Sequence, residues 1–165
     1  MEIKKATKLG VKDNAVFLIS SDKDLSSKEF SKDEIGYIKK ELKAEHKQIE
    51  INRLTNIIYI VLLDKDADYK TAEKARIAGS ALTLTINKAK LKAVSIVSDL
   101  DLTEAFIEGI ALSNYQFLKY FSDKKTNTLD SLKVVGSIKS AVIEELQNTV
   151  AATNYAKSLV NEPQS

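Results

Sequence analysis

Cysteine is absent from the 165 residues, so neither a disulfide framework nor a thiolate metal site is available, and nothing points to an oxidising compartment. Histidine is nearly absent: His46 stands alone in the polar stretch 43–48, between Glu45 and Lys47. Metal centres and nucleophilic triads combine several converging groups, so His46 reads as an exposed residue at a helix end. The five glycines, Gly10, Gly36, Gly79, Gly109 and Gly136, never fall two to a loop, which excludes the clustered glycines of phosphate-cradling motifs. No serine sits in a G-x-S-x-G turn, and no second histidine or cysteine could complete a nucleophilic system. Arginine is scarce too. Only Arg53 and Arg76 occur among 25 basic residues, and lysine lacks the planar fork that reads guanine or clamps phosphate. The net charge of +2 is spread over interleaved signs, which counts against nucleic acid as a partner. No apolar run is long enough to span a bilayer, and the charged start, Met1-Glu2-Ile3-Lys4-Lys5, is not a signal peptide. A cytoplasmic location without membrane contact is the expectation.

What is present is an ordinary core-forming chain, 44% apolar and 29% charged, of a length that suits one domain. The run Ala15-Val16-Phe17-Leu18-Ile19 predicts a buried strand that ends at Ser20-Ser21-Asp22. Ser31 and Glu34 have capping-box spacing and predict a helix over residues 32–43. Alternation over 48–52 predicts a half-buried strand, and the unbroken run 57–63 one that is buried on both faces. Small and apolar residues at Ala72, Ala75, Ala78, Gly79, Leu82 and Ile86 mark a helix over 69–87 that packs closely on a sheet. Residues 93–97 predict a strand. Asp101 and Glu104 are candidate caps for a following helix, with apolar positions Leu102, Phe106, Ile110, Phe117 and Phe121. A late strand over 129–135 and a long helix marked by Ile138, Val142, Leu146 and Val150 complete the pattern, which ends before Pro163. Strands alternating with helices predict an α/β domain, its mixed, mostly parallel sheet flanked by helices.

Three groups could carry chemistry, and each has a plainer explanation. Asp64, Asp66 and Asp68 alternate in the manner of oxygen ligands, but Tyr69 stands where a calcium loop needs glycine, so they read as a solvated turn. Asp99 and Asp101 sit at the end of a strand, a favoured place for sites, yet helix capping accounts for them. The aromatic set Tyr115, Phe117, Tyr120 and Phe121 has helical spacing, which suits a core stripe better than a base-stacking platform. No catalytic, cofactor-binding or metal-binding residue is nominated.

Two segments carry a resemblance. Phe106-Ile107-Glu108-Gly109-Ile110-Ala111-Leu112-Ser113-Asn114-Tyr115-Gln116-Phe117, continuing to Tyr120 and Lys124-Lys125, resembles the E-G-x-x-L-x-x-Y-x-F-x-x-Y-x-x-x-K helix of leucyl aminopeptidases. Ala156-Lys157-Ser158-Leu159-Val160-Asn161-Glu162-Pro163 resembles the A-R-x-L-x-N-x-P stretch at the entry to that family's catalytic domain, with Lys157 in place of the usual arginine. The resemblance implies a macro-like, three-layer N-terminal domain over 1–136, a linker helix over 137–160, and the start of a missing catalytic domain at 161–165. It also implies a parent metallopeptidase that removes N-terminal residues, leucine preferentially, using two divalent metals, zinc or manganese. Those ligands lie in a part of the family, including an N-T-D-A-E-G-R stretch, that has no counterpart here, so the chain itself is expected to be inactive and metal-free. Its expected partners are its own catalytic domain and the other subunits of a homo-oligomer, and its expected role is in subunit contacts and active-site access. By itself it should be a monomer or weak dimer, with exchange faster after Asn154 than in the central strands. Two alternatives remain: a free-standing module for an ADP-ribose-type ligand, and a DNA-binding accessory domain.

Overall fold

The computed structural model describes residues 1–25 and 29–163. Six strands, β1 (Glu2–Ala6), β2 (Ala15–Ile19), β3 (Gln48–Asn52), β4 (Ile57–Leu62), β5 (Ala93–Ser98) and β6 (Ser131–Gly136), alternate with four helices. The helices are α1 (Lys32–Lys43), α2 (Tyr69–Lys88), α3 (Thr103–Ser113) and α4 (Ser140–Asn161). The strands form one sheet in the order β1-β6-β5-β2-β4-β3, in which only β3 runs antiparallel, against β4. Strand alternation divides the core in two. Ile3, Val16, Leu18, Tyr59, Val61, Val94, Ile96, Leu132 and Val134 face α2, α3 and α4, while Ala15, Phe17, Ile19, Ile49, Ile58 and Ile60 face α1 and Phe30. The expected three layers, helices on both faces of a mostly parallel sheet, are therefore present.

Local chemistry explains most boundaries. Ser31 and Glu34 form the reciprocal capping box, with Ser31 Oγ accepting from Glu34 N at 3.2 Å and Glu34 Oε2 from Ser31 N at 2.8 Å. Glu34 also accepts two bonds from Arg53 at 2.7 and 2.9 Å, and that guanidinium, above all else, holds the Glu34 carboxyl below its usual pKa. Arg53 thereby ties the β3–β4 turn to the start of α1, with Phe30 beneath its charge. Asp68 caps α2, its Oδ1 accepting from Thr71 N at 2.8 Å.

α2 and α3 meet through two glycines. A Cβ on Gly79 would lie 2.2 Å from Phe106 O, and one on Gly109 would lie 2.1 Å from Arg76 O, so each helix needs a bare backbone where the other crosses. Arg76 and Glu108 pair beside this crossing, and Thr83 Oγ1 donates to Gly79 O at 2.9 Å beneath it.

The connection from β1 to β2 runs on the opposite face. It must cross three strand spacings and, because Ala6 is level with Phe17 through Val135 and Val97, return two residues to Ala15, a diagonal of roughly 16 Å by standard sheet dimensions. Residues 7–14 reach about 27 Å when extended and only about 12 Å as a helix, so this crossover is a strap. Asp13 pins it to the sheet: its Oδ2 accepts from Ser95 Oγ at 3.0 Å, Lys133 Nζ at 3.1 Å and Gly10 N at 3.4 Å. Crossovers toward β1 pass over one face and those toward β4 over the other, so all share one hand.

Four expectations need correction. β1 was not foreseen, because Ile3 is its only buried residue and an edge strand of lysines shows little apolar pattern. Asp101 and Glu104 do not cap α3. The N-cap position is Leu102, and the turn is held instead by the Ser98–Thr103 hydroxyl pair at 2.6 Å and by Leu100 N donating to Ser98 Oγ at 3.1 Å. α3 ends at Ser113, so Phe117 and Phe121 lie outside it. Side-chain amides take over from the helix there: Asn114 Nδ2 donates to Leu129 O at 2.8 Å, and Asn87 Oδ1 accepts from Thr128 N at 2.6 Å and Leu129 N at 3.1 Å. The last helix starts at Ser140 rather than near Ile138, which packs against the core just ahead of it.

Two predictions follow from the crossing and the strap. Gly109→Ala should cost about 3 kcal/mol by urea denaturation, because a carbonyl rather than a flexible side chain blocks the new methyl. The matching control, Gly36→Ala in α1, meets nothing within 4 Å and should be neutral or stabilise by up to about 1 kcal/mol. For Asp13, burial pushes the carboxyl pKa up, but bonds to Lys133 and Ser95 and the Lys133 charge outweigh burial and lower it. A lowered folded pKa means stability that is present above the unfolded value and lost as pH falls through the folded one. Asp13→Asn should therefore destabilise by about 1 kcal/mol at neutral pH, with the gap to the parent chain closing below about pH 4.

Candidate functional site

The residues weighed as candidates for chemistry are dispersed. His46 follows α1 on the surface, its Nδ1 2.7 Å from Glu41 Oε2. Asp64 pairs with Lys74 at 3.0 Å, Asp68 is spent on the α2 cap, and Asp99 Oδ1 accepts from Ser137 N at 2.8 Å. Asp66 and Asp101 are exposed. No group of three or more His, Asp or Glu side chains among the described residues is placed to hold a metal ion.

The structure does bring together the two segments that carry the family resemblance. The irregular stretch after α3 folds back against the last turns of α4. Tyr115 Oη lies 2.9 Å from Ser158 Oγ, and Lys157 Nζ donates to Leu112 O at 3.3 Å while lying 5.5 Å from the Tyr115 ring centre. Glu162 receives two bonds, from Lys119 Nζ at 2.7 Å and from Tyr120 Oη at 2.6 Å. The Lys119 ammonium first, and then the Tyr120 hydroxyl, hold the Glu162 carboxyl below its usual pKa, and the same carboxylate raises that of Tyr120. Tyr115, Tyr120 and Phe117 are thus neither a helical core stripe nor a stacking platform. Tyr115 and Tyr120 clasp the end of α4 with their hydroxyls, and Phe117 packs edge-tilted on Tyr120 with ring centres 5.8 Å apart. The motif spacing gave the partners, but helical periodicity concealed their polar use.

The clasp leaves one side of α4 bare. The helix contributes Ile143, Leu146 and Val150 to the core. Beyond that turn its outer side carries Ala151, Ala152, Tyr155, Ala156, Leu159 and Val160, all exposed, with Tyr155 at 66%, Leu159 at 56% and Val160 at 85%. Lys157, the one charged residue between Glu145 and Glu162, is turned toward Tyr115. Exposed apolar side chains are thus gathered on one uncharged side of the helix.

No family model matches the sequence, and no curated protein does. Solved structures do match in fold. A point mutant of tomato leucine aminopeptidase superposes with a TM-score of 0.68 at 16% identity, over 99% of this chain and 38% of that one. The bottromycin maturation enzyme BotP, in complex with Mn, gives 0.61 at 16% identity, over 93% of this chain and 32% of that one. The chain therefore has the fold of part of a leucine aminopeptidase and spans about a third of the length of these structures. Asp64, Asp68 and Asp99, engaged in an ion pair, a helix cap and a turn, are not placed to share a metal such as the one in BotP. No helix among the described residues is long and apolar enough to cross a membrane.

The clasp makes a specific prediction. Its ionic members are exposed, so Tyr120→Phe with Glu162→Gln should move the melting temperature by no more than about 2 °C. Amide exchange at residues 158–161 should nevertheless quicken several-fold, which peptide-level hydrogen exchange would detect. Unchanged exchange would show that the helix end is held by its own ladder alone.

Proposed function

We propose that this chain is the non-catalytic N-terminal domain of a leucyl-aminopeptidase-type protein, in which residues 1–136 form the domain, 137–160 the linker helix, and 161–165 the entry to a catalytic domain. The observation that carries this reading is the fold match over 99% of the chain and 38% of the aminopeptidase, in a sequence whose two family-like segments meet in space. The parent protein would remove N-terminal residues from peptides in the cytoplasm, with divalent metals held outside these residues. In this reading the domain takes part in subunit contacts and shapes access to the active site.

The linker assignment has a physical basis in α4. The clasp by Tyr115, Lys119 and Tyr120 fixes the direction in which the helix leaves the domain, and the uncharged side carrying Tyr155, Leu159 and Val160 offers the area a following domain would cover. Burying those three side chains would contribute roughly 1.5–3 kcal/mol each for full burial, enough to order a joint between domains.

The test is direct. The 165-residue chain should give no turnover of leucine p-nitroanilide with manganese or zinc, and light scattering should find a monomer or weak dimer. Turnover that survives repurification, or a stable hexamer at micromolar concentration, would overturn this assignment.

A further inference from the structure

β3 is an outer strand of the sheet, at the edge opposite β1. Leu62 N donates to Lys47 O at 2.8 Å and Arg53 N to Asn56 O at 2.9 Å, which fixes the odd-numbered residues of this stretch as the ones bonded to β4. Gln48 and Glu50 therefore turn their backbone N–H and C=O groups away from the sheet, and no hydrogen-bond partner among the described residues meets them.

A hollow of about 260 Å³ lies beside this edge, between β3 and α2. Val61 and Leu63 line it from the β4 side, Ala75 and Ala78 from the helix, and Gln48 from the edge strand. The volume suits one large side chain rather than a whole small molecule. Of the two lysines at its rim, Lys74 is held by Asp64 at 3.0 Å, and Lys47 has no acidic partner among the described residues.

An unpaired edge next to an apolar hollow is the arrangement by which sheets take up extended peptides: the main chain pairs with the edge, and alternate side chains reach the hollow. A residue directly opposite Gln48 shares its face and so projects toward the hollow. In the antiparallel direction, the chain beyond that residue leads toward Lys47. A second copy of β3 does not fit. Across a two-fold axis it brings only Gln48, Glu50 and Asn52 to that face, and none of them is apolar.

We propose that β3 and α2 form a groove for an extended peptide, added antiparallel to β3, with a C-terminal apolar residue in the hollow and its carboxylate beside Lys47. β1 and α4 pack together at the other edge of the sheet, so the groove is separate from the α4 joint and does not rest on the aminopeptidase reading.

Amide chemical-shift titration of the 165-residue chain at neutral pH tests this with acetyl-Thr-Val-Thr-Leu, whose leucine falls opposite Gln48 and whose valine falls opposite Glu50. The peptide should shift the amides of Gln48, Glu50, Leu63 and Ala78. Methylating its valine nitrogen removes the donor to Glu50 O and should weaken binding about ten-fold, and replacing its carboxylate by an amide should weaken binding about three-fold. Ala78→Leu fills the hollow and should weaken the peptide by about ten-fold. Glu50→Pro removes an outward N–H but no bond to β4, so it should give a similar loss without disturbing the ladder. Equal affinity for the methylated peptide, an amide that binds as tightly as the acid, shifts centred elsewhere, or no binding at about 5 mM peptide would overturn the proposal.

Discussion

Two helix backbones meet with no side chain between them where α2 and α3 cross at Gly79 and Gly109, and much of the rest is placed by that contact. Only with both side chains missing can the two helices lie close enough for one to cover the sheet beside the other. The same spacing sets Asn87, one turn below Thr83, opposite Asn114 at the end of α3, with Nδ2 to Oδ1 at 3.0 Å. Asn87 in turn holds the amides of Thr128 and Leu129 and so fixes where the chain re-enters the sheet as β6. The clasp on α4 hangs from the segment that begins at Asn114. A glycine pair thus reaches, through two asparagines, to a joint some fifty residues further along the chain.

Much of the fold was legible because its signals were local. The capping box at Ser31 and Glu34, the alternation of 48–52 and the small-residue stripe of α2 each report a structure formed by neighbours in sequence, and the helix over 32–43 and the strand over 48–52 have the expected bounds. What escaped was decided by distant groups. β1 is a strand because β6 lies beside it and Gln147 accepts from Ile3 N at 3.1 Å, not because its own residues favour the state. The helix expected to include Phe117 stops at Ser113, where Asn127 Nδ2 donates to Asn114 O and the Asn114 side chain turns away to Leu129 O. The E-G pair in the first family-like segment was legible as a motif, but its physical reason, a bare Cα against Arg76 O beside an Arg76–Glu108 ion pair, is visible only in three dimensions.

Charge shows the same limit. Lysines and acids are interleaved along the chain, yet the folded surface is not uniform. Asp24 and Glu29 from the β2–α1 connection and Asp99 from the end of β5 line one crevice, and the outer side of α4 is left without charge because Lys157 turns inward. Composition describes how much charge a surface has, and only topology decides which parts of it are one-signed or bare.

The position of β1 at the far edge of the sheet also orders events in time. Residues 2–6 leave the ribosome before every other strand, but their only strand partner is residues 131–135. At typical rates of synthesis that partner follows on the order of ten seconds later. During that interval the strap has no Lys133 to grip and β1 has no ladder to join, while β2, β3 and β4 can already pair. The first of these six strands to be made is therefore among the last to be seated, and the charges of Glu2, Lys4 and Lys5 suit an edge that waits in water.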